Sequence, residues 1–388
     1  MKNNFILKTL FIIFTFAFGI NNAFADFAFS EMELRFAQVS DVHLSDAPDT
    51  SYKVLSHSKD LMRSAIKDLN TMKGLDFVAF TGDMVNEPTK KLYRDFLLEL
   101  SDLNYPSLLV LGNHDSTSND SKSEEYLNKN TVYEIIRRYN PYQDHNSVYF
   151  AYSPAKDFRV IVLDTTTGYE NRSTGFLSDE QLQFLDKEIG ENEDKIIIIF
   201  QHHPVIEPFS SSDHKLLNAN AYLDVLNKHK HTPIGIFSGH YHCTKIIRKG
   251  NVIHVTTPSL VTYPNAYRTV VVSNYRDRVT FDIALHETKL TKIQQLAKSN
   301  IIAKSVMYGL ASDRNTSILI RKRGLPGIKL SQEEKDEIKA KELERKEADK
   351  AQRLEEKQLR KEAKEKAKQE KELLKQEAKK QKELSKGK

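Results

Sequence analysis

Apolar and polar positions alternate along this chain in two different ways. Between Leu34 and about Ala303, short runs that are apolar almost throughout, "LRFAQVS" (34–40), "DFVAF" (76–80), "SLLVL" (107–111), "KIIIIF" (195–200) and "IGIFS" (234–238), read as strands buried on both faces. Between them, "SKDLMRSAIKDLNTM" (58–72), "KKLYRDFLLELSDL" (90–103) and "SDEQLQFLDKEI" (178–189) carry apolar residues at helical spacing. Ser178 stands three before Gln181, the spacing of a capping box. Residues 148–164 and 244–257 read as hairpins, with a turn between alternating strands. Strands alternating with helices, with hairpins added, predict a layered α/β sandwich whose working residues sit at the carboxyl ends of strands.

The pattern stops near Ser331. From there the chain is Lys, Glu, Gln, Ala and Leu, with no Pro and no aromatic residue. Its leucines keep no sustained heptad, which argues against a long coiled-coil seam. Opposite charges three and four apart favour a long solvated single helix, or a disordered segment. A partner for this tail is unknown. The tail carries +4 of the formal net charge of +5. The rest is nearly neutral, and no basic patch interleaved with aromatics is visible, so nothing favours nucleic acid as a partner.

At the other end, Lys2 and Lys8 flank a short apolar run that leads to Ala23-Phe24-Ala25, the layout of a secretory signal peptide cleaved after Ala25. The run is shorter than the roughly 20 residues of a spanning helix, although an uncleaved anchor is the alternative. The expectation is therefore a signal peptide (1–25), one domain (26–303), a linker (304–330) and the charged tail (331–388). The mature chain would have no transmembrane helix and would be periplasmic or secreted. Cys243 is alone and can make no internal disulfide, so stability falls to core packing or to bound metal.

Five apolar runs end in residue types that bind first-row metals. They finish in Asp41-Val42-His43, Gly82-Asp83, Gly112-Asn113-His114-Asp115, His202-His203-Pro204 and Gly239-His240-Tyr241-His242. Asp-x-His puts an oxygen and a nitrogen ligand on the same side of an extended backbone. Gly82 permits a tight turn, after which the carboxylate of Asp83 can lie between two cations about 3.5–4 Å apart. Asn113 adds an amide oxygen without charge. Gly-Asp or Asp-x-His alone recurs by chance and Gly-Asn-His-Asp is more specific; five in order, each closing a strand, do not arise by chance. His57, His145, His214, His229, His231, His254 and His286 stand outside these patterns and read as surface or core residues.

The ordered set resembles the calcineurin-like metallophosphoesterases over residues 34 to about 285. Through "GNHD", "LDTTTG", "GFLSDEQLQFL" and "HHP" it is most similar to their class III cyclic-nucleotide phosphodiesterase branch. The resemblance implies a four-layer αββα sandwich of two mixed sheets with two metal ions at one edge, divalent or mixed-valence. One would be held by Asp41, His43, Asp83 and His242, the other by Asp83, Asn113, His202 and His240. His202, two before the proline, is the family's ligand; His203 then supports the site, faces the substrate or only packs. His114 would face the scissile phosphate as general acid or charge stabiliser, with Asp115 orienting its imidazole. A related branch has a tyrosine ligand three after the bridging Asp; here that position is Asn86, which argues against an Fe(III)-tyrosinate centre.

These residues predict hydrolysis of a small phosphoester by water activated between two cations, with Mn, Fe, Zn or Co all compatible with the mixed ligand set. The branch resemblance favours a phosphodiester of cyclic-nucleotide or glycerophosphodiester type, a phosphomonoester scavenged for its phosphate is the alternative, and a scaffold acting through the charged tail is a reading of another class. Tyr263 and Tyr267, in "TPSLVTYPNAYR" (257–268), are candidates either for substrate contact or for packing.

Overall fold

The computed structural model describes residues 32–118, 122–140, 148–166, 173–301 and 304–322, with scattered positions between 332 and 357. The N-terminal stretch expected to be a signal peptide, His145 and most of the charged tail lie outside the described residues. None of the described helices is long and apolar enough to cross a membrane.

Two six-stranded sheets face each other. In the first, β1 (Met32–Val39), β2 (Phe77–Thr81) and β3 (Ser107–Val110) run parallel, and β10 (Ala266–Asn274), β11 (Arg278–Glu287) and β12 (Thr316–Arg321) extend it antiparallel in the order β12-β11-β10-β1-β2-β3. In the second, β5 (Phe158–Val162), β6 (Ile196–Phe200), β7 (Ile234–Ser238) and β9 (Val252–Thr256) are parallel, flanked by antiparallel β4 (Phe150–Tyr152) and β8 (Lys245–Lys249). Both expected hairpins form, β4–β5 and β8–β9.

Why the runs are apolar throughout is visible in where successive residues point. In β6, Ile196, Ile198 and Phe200 enter the core between the sheets, whereas Ile197 and Ile199 face the outer helices. In β1, Leu34 and Phe36 point inward, and Ala37 and Val39 outward. A strand covered on both faces has no polar side to offer. The outer layer on the first sheet is α1 (Ser58–Leu69), α2 (Lys90–Leu100) and α3 (Lys129–Ile136); on the second it is α4 (Asp179–Gly190) and α5 (Ala219–Lys228). This is the expected αββα sandwich.

Four phenylalanines lock together strands of the two sheets whose carboxyl ends carry the ligand motifs. Phe36 of β1 meets Phe200 of β6 at 5.2 Å and Phe237 of β7 at 5.0 Å, and Phe77 of β2 meets Phe200 at 5.8 Å between ring centroids. These edge-to-face contacts add to the area they bury and set the strands in register across the sandwich.

Three expectations need correction. Ser178 caps α4 by accepting from the Gln181 amide, but the Gln181 side chain does not return the bond; it pairs instead with both backbone groups of Asp164. Residues 304–322 are not a linker. After α6 (Thr291–Asn300) they form α7 (Lys304–Tyr308), α8 (Ala311–Arg314) and β12, whose ladder completes the first sheet. Fully buried Arg268 donates from Nη1 and Nη2 to the carbonyls of Asp313, Arg314 and Thr256, leaving only Nε without a partner, so a buried charge is met by backbone that the pattern of apolar runs could not reveal. Nor is the tail solvated throughout: Asp349 accepts from the backbone and hydroxyl of Ser312, and Gln352 donates to the Gly309 carbonyl.

Candidate metal centre

The strand ends of both sheets open at one edge of the sandwich, and their loops are stitched together. The amides of Asp41 and His43 donate to the carbonyls of Gly82 and Asp83, and the Gly239 amide donates to the His202 carbonyl. Little space remains. A Cβ on Gly82, whose φ is +90°, would come within 2.3 Å of the His202 ring; one on Gly239 would come within 2.3 Å of the Asp41 carboxylate. The glycines in these motifs are there because another strand's ligand passes against them.

Six non-glycine residues have positive φ among those described, and five of them are Asp41 (51°), His43 (43°), Asp83 (52°), His240 (68°) and His242 (51°). A left-handed backbone is costly for a residue with a Cβ and persists where surrounding structure enforces it, typically at functional sites. Here it swings the side chains off the strand ends into a common space.

Asp41, His43, Asp83 and His242 form one group, all buried, each offering a ligand atom within 4.8 Å of the others. Nε2 of His43 lies 3.1 Å from Nε2 of His242 and 3.4 Å from Oδ2 of Asp83, and His242 Nε2 is 3.2 Å from Oδ1 of Asp41. Lone pairs directed at one another repel unless a cation sits among them. Ligands about 2.1 Å from one ion would stand about 3.0–3.4 Å apart, so the observed spacing fits a first-row metal. Burial, with help from Lys53, holds His43 well below its usual pKa, in the neutral form that ligates.

The second group is centred on His202. Its Nε2 lies 3.0 Å from Oδ1 of Asn113, 3.2 Å from Nδ1 of His240 and 3.4 Å from Oδ2 of Asp83, while its Nδ1 bonds the Thr81 carbonyl at 2.8 Å. That carbonyl fixes the proton on Nδ1 and leaves Nε2 for a metal. Burial alone would depress His202, but the Asp83 carboxylate outweighs it and holds the ring up at about 9, so a cation arriving here displaces a proton. Asp83 is therefore common to both groups. His203 can join His202 and His240 as a ligand trio, but its Nδ1 is bonded to Thr165 Oγ1 and its ring is wedged against Gly175.

His114 lies beside the first group, its ring 4.7 Å from that of His43. The expected role of Asp115 is corrected. The His114 Nδ1 partner is the Asn86 carbonyl, at 2.8 Å. Asp115 instead accepts from the amides of Gly112, Met84 and Val85, tying the loop after β3 to the loop after β2. The resemblance implied a contact with His114, but these three amides take up both oxygens of the Asp115 carboxylate.

The two tyrosines are packing residues. Tyr267 is fully buried and donates to Asp68, and the buried Tyr263 packs against Tyr308 with its ring tilted 35° to it. The stretch containing them does support the centre by other means: Thr262 Oγ1 meets His242 Nδ1 at 2.9 Å, and Ser259 Oγ donates to the Asp41 carbonyl. His214 stands 5.4 Å from His240, ring to ring, so it belongs at the mouth of the site rather than to the remote surface. No local signal marked it, nor Thr262, nor Lys53, whose ammonium lies against His43.

A family model described as calcineurin-like phosphoesterase matches residues 34–244. The chain is 26% identical to a "Probable cyclic nucleotide phosphodiesterase" of Xenorhabdus bovienii, covering 58% of this chain and 86% of the relative. It is 24% identical to a "Probable glycerophosphodiester phosphodiesterase" of Arcobacter nitrofigilis, covering 57% of this chain and 77% of the relative. A dimetal phosphatase from Danio rerio has the same fold, with a TM-score of 0.52 at 17% identity over 66% of this chain and 99% of that one.

Proposed function

The chain belongs to the calcineurin-like phosphoesterase family and is a metal-dependent phosphohydrolase, and we propose that it hydrolyses a phosphodiester of the cyclic-nucleotide or glycerophosphodiester type. The observation that carries the reading is the convergence of Asp41, His43, Asp83 and His242 into one buried ligand group, with His202 joined to it through Asp83 and Asn113 through His202. The relatives from Xenorhabdus bovienii and Arcobacter nitrofigilis are both phosphodiesterases by description, which favours a diester.

Asp41, His43, Asp83 and His242 would hold one cation, and Asp83, Asn113, His202 and His240 the second. Such cations, when bound, supply Lewis acidity at the phosphoryl oxygens and lower the pKa of water, and Mn, Fe, Zn and Co all suit this donor set. The chain contributes the rest. His114 keeps the Nδ1 proton on the Asn86 carbonyl, so Nε2 is the atom left to meet the departing oxygen. Burial holds its pKa low, against the pull of Asp83, so Nε2 carries a proton only in the imidazolium form, which gives that proton up readily. The His114 amide also donates to Asp83 Oδ1 at 2.8 Å, which fixes the imidazole relative to the shared carboxylate.

The N-terminal segment supports an exported enzyme, periplasmic or secreted, and sequencing of the mature N-terminus would locate cleavage after Ala25. The decisive experiment is metal analysis of the purified chain followed by hydrolysis of bis(p-nitrophenyl) phosphate and p-nitrophenyl phosphate with added Mn. Faster turnover of the diester is expected. Preference for the monoester would revise the substrate, and no turnover of either with any of the four metals would sink the assignment.

A further inference from the structure

Lys53 is buried, 6% exposed, on the segment between β1 and α1, and its placement is rigid. The Thr50 hydroxyl accepts from the Lys53 amide, the Thr50 amide donates to the Lys53 carbonyl, and the next residue is tied to the Val261 carbonyl. Val261 adjoins Thr262, which orients His242. The same loop that supports a candidate ligand thus holds Lys53 in place.

Its ammonium lies 3.2 Å from Nε2 and 3.4 Å from Nδ1 of His43. A donor aligned with the lone pair of one ring nitrogen would stand about 5 Å from the other, because ring lone pairs point outward in the plane. Near-equal distances place the ammonium over the ring face. His43 Nε2 therefore keeps its in-plane lone pair for a metal, and Lys53 does not compete for it. Burial lowers the pKa of Lys53 against the pull of Asp83 and Asp41, and no carboxylate among the described residues is within ion-pair distance of its Nζ. When Asp41 and Asp83 are committed to cations, this ammonium has no anion left among its described neighbours. A buried charge needs one.

We infer that Lys53 is a contact for the non-bridging phosphoryl oxygens of the substrate and of the phosphate ester released from it, placed over His43 on the side of the first candidate metal group. The inference rests on the hydrolase reading and adds a substrate-binding cation that the ligand motifs do not contain. Three N–H donors on a fixed stem reach an anion that the cations alone would hold without orientation.

The test is calorimetric binding of inorganic phosphate to the Mn-loaded full chain, with metal content measured on the same samples. Lys53→Met is expected to keep its Mn and to bind phosphate about 10- to 100-fold more weakly, the range for loss of a charge-assisted hydrogen bond. If that variant does not fold, Lys53→Gln carries the same test, and Lys53→Arg should retain most of the phosphate affinity. Unchanged phosphate affinity with metal retained overturns the inference. So does loss of Mn from a folded variant, which would make Lys53 part of the metal-holding structure. Wild-type chain that binds Mn and phosphate but hydrolyses no phosphoester would defeat the functional reading while leaving this result intact.

Discussion

The two halves of the centre share Asp83 and otherwise differ. The first half has two carboxylates, Asp41 and Asp83, facing the imidazoles of His43 and His242; the second has only Asp83, with His202, His240 and the uncharged Asn113. One extra negative charge in a buried pocket is a large difference in attraction for a dication, so the first half should fill at lower metal concentration. Their supports differ too. His242 is oriented by the Thr262 hydroxyl, a side chain, and His202 by the Thr81 carbonyl, which no substitution removes. Charge and support are thus distributed so that the halves are separable by mutation everywhere except at Asp83.

The most severe test is Asp83→Ala, which should empty both halves and cut turnover by at least about a thousandfold; retention of even one cation at normal affinity would break the idea of a common bridge. Next is His114→Ala. Metal content should be unchanged while kcat falls about 10²- to 10⁴-fold, more for alkoxide than for p-nitrophenolate leaving groups. Wild-type rates would remove its proton-handling role.

Asp115→Ala should cost about 3 kcal/mol in thermal or denaturant unfolding, because three buried amide donors lose their acceptor and the Asp83 loop is released from the Asn113 loop. A shifted pH profile with stability untouched would instead restore Asp115 as the partner of His114. Asn113→Ala should weaken the second cation alone, by about 10- to 100-fold, and excess metal should recover part of the activity. Equal weakening of both cations in a titration would erase the asymmetry. The smallest effect is expected from Thr262→Val, about tenfold in affinity and confined to the first cation, since only the orientation of His242 is relaxed.

The parallel strands were legible because burial on both faces forces continuous apolar runs, and IGIFS (234–238) is β7 residue for residue. The candidate ligands could be named because each closes such a run, and order along the chain carried the pattern. Residues that act from loops left no such mark. Lys53 sits in an ordinary polar stretch, and Thr262 lies twenty residues after the histidine it orients. The antiparallel strands β10, β11 and β12 were missed: β10 and β11 interleave polar with apolar positions, and β12, with Ile318 and Ile320 directed toward the core, is short and comes after two small helices.

By itself the sequence determined which groups could ligate and which strand delivers each, because periodicity and residue chemistry are local properties. Which groups meet was decided only by the tertiary structure. The left-handed turns at Asp41, His43, Asp83, His240 and His242, and the loops that clear one another only where glycine stands, set the spacing of the ligands. That spacing depends on two sheets packed face to face through Phe36, Phe77, Phe200 and Phe237, and packing between distant segments has no signature in any one of them.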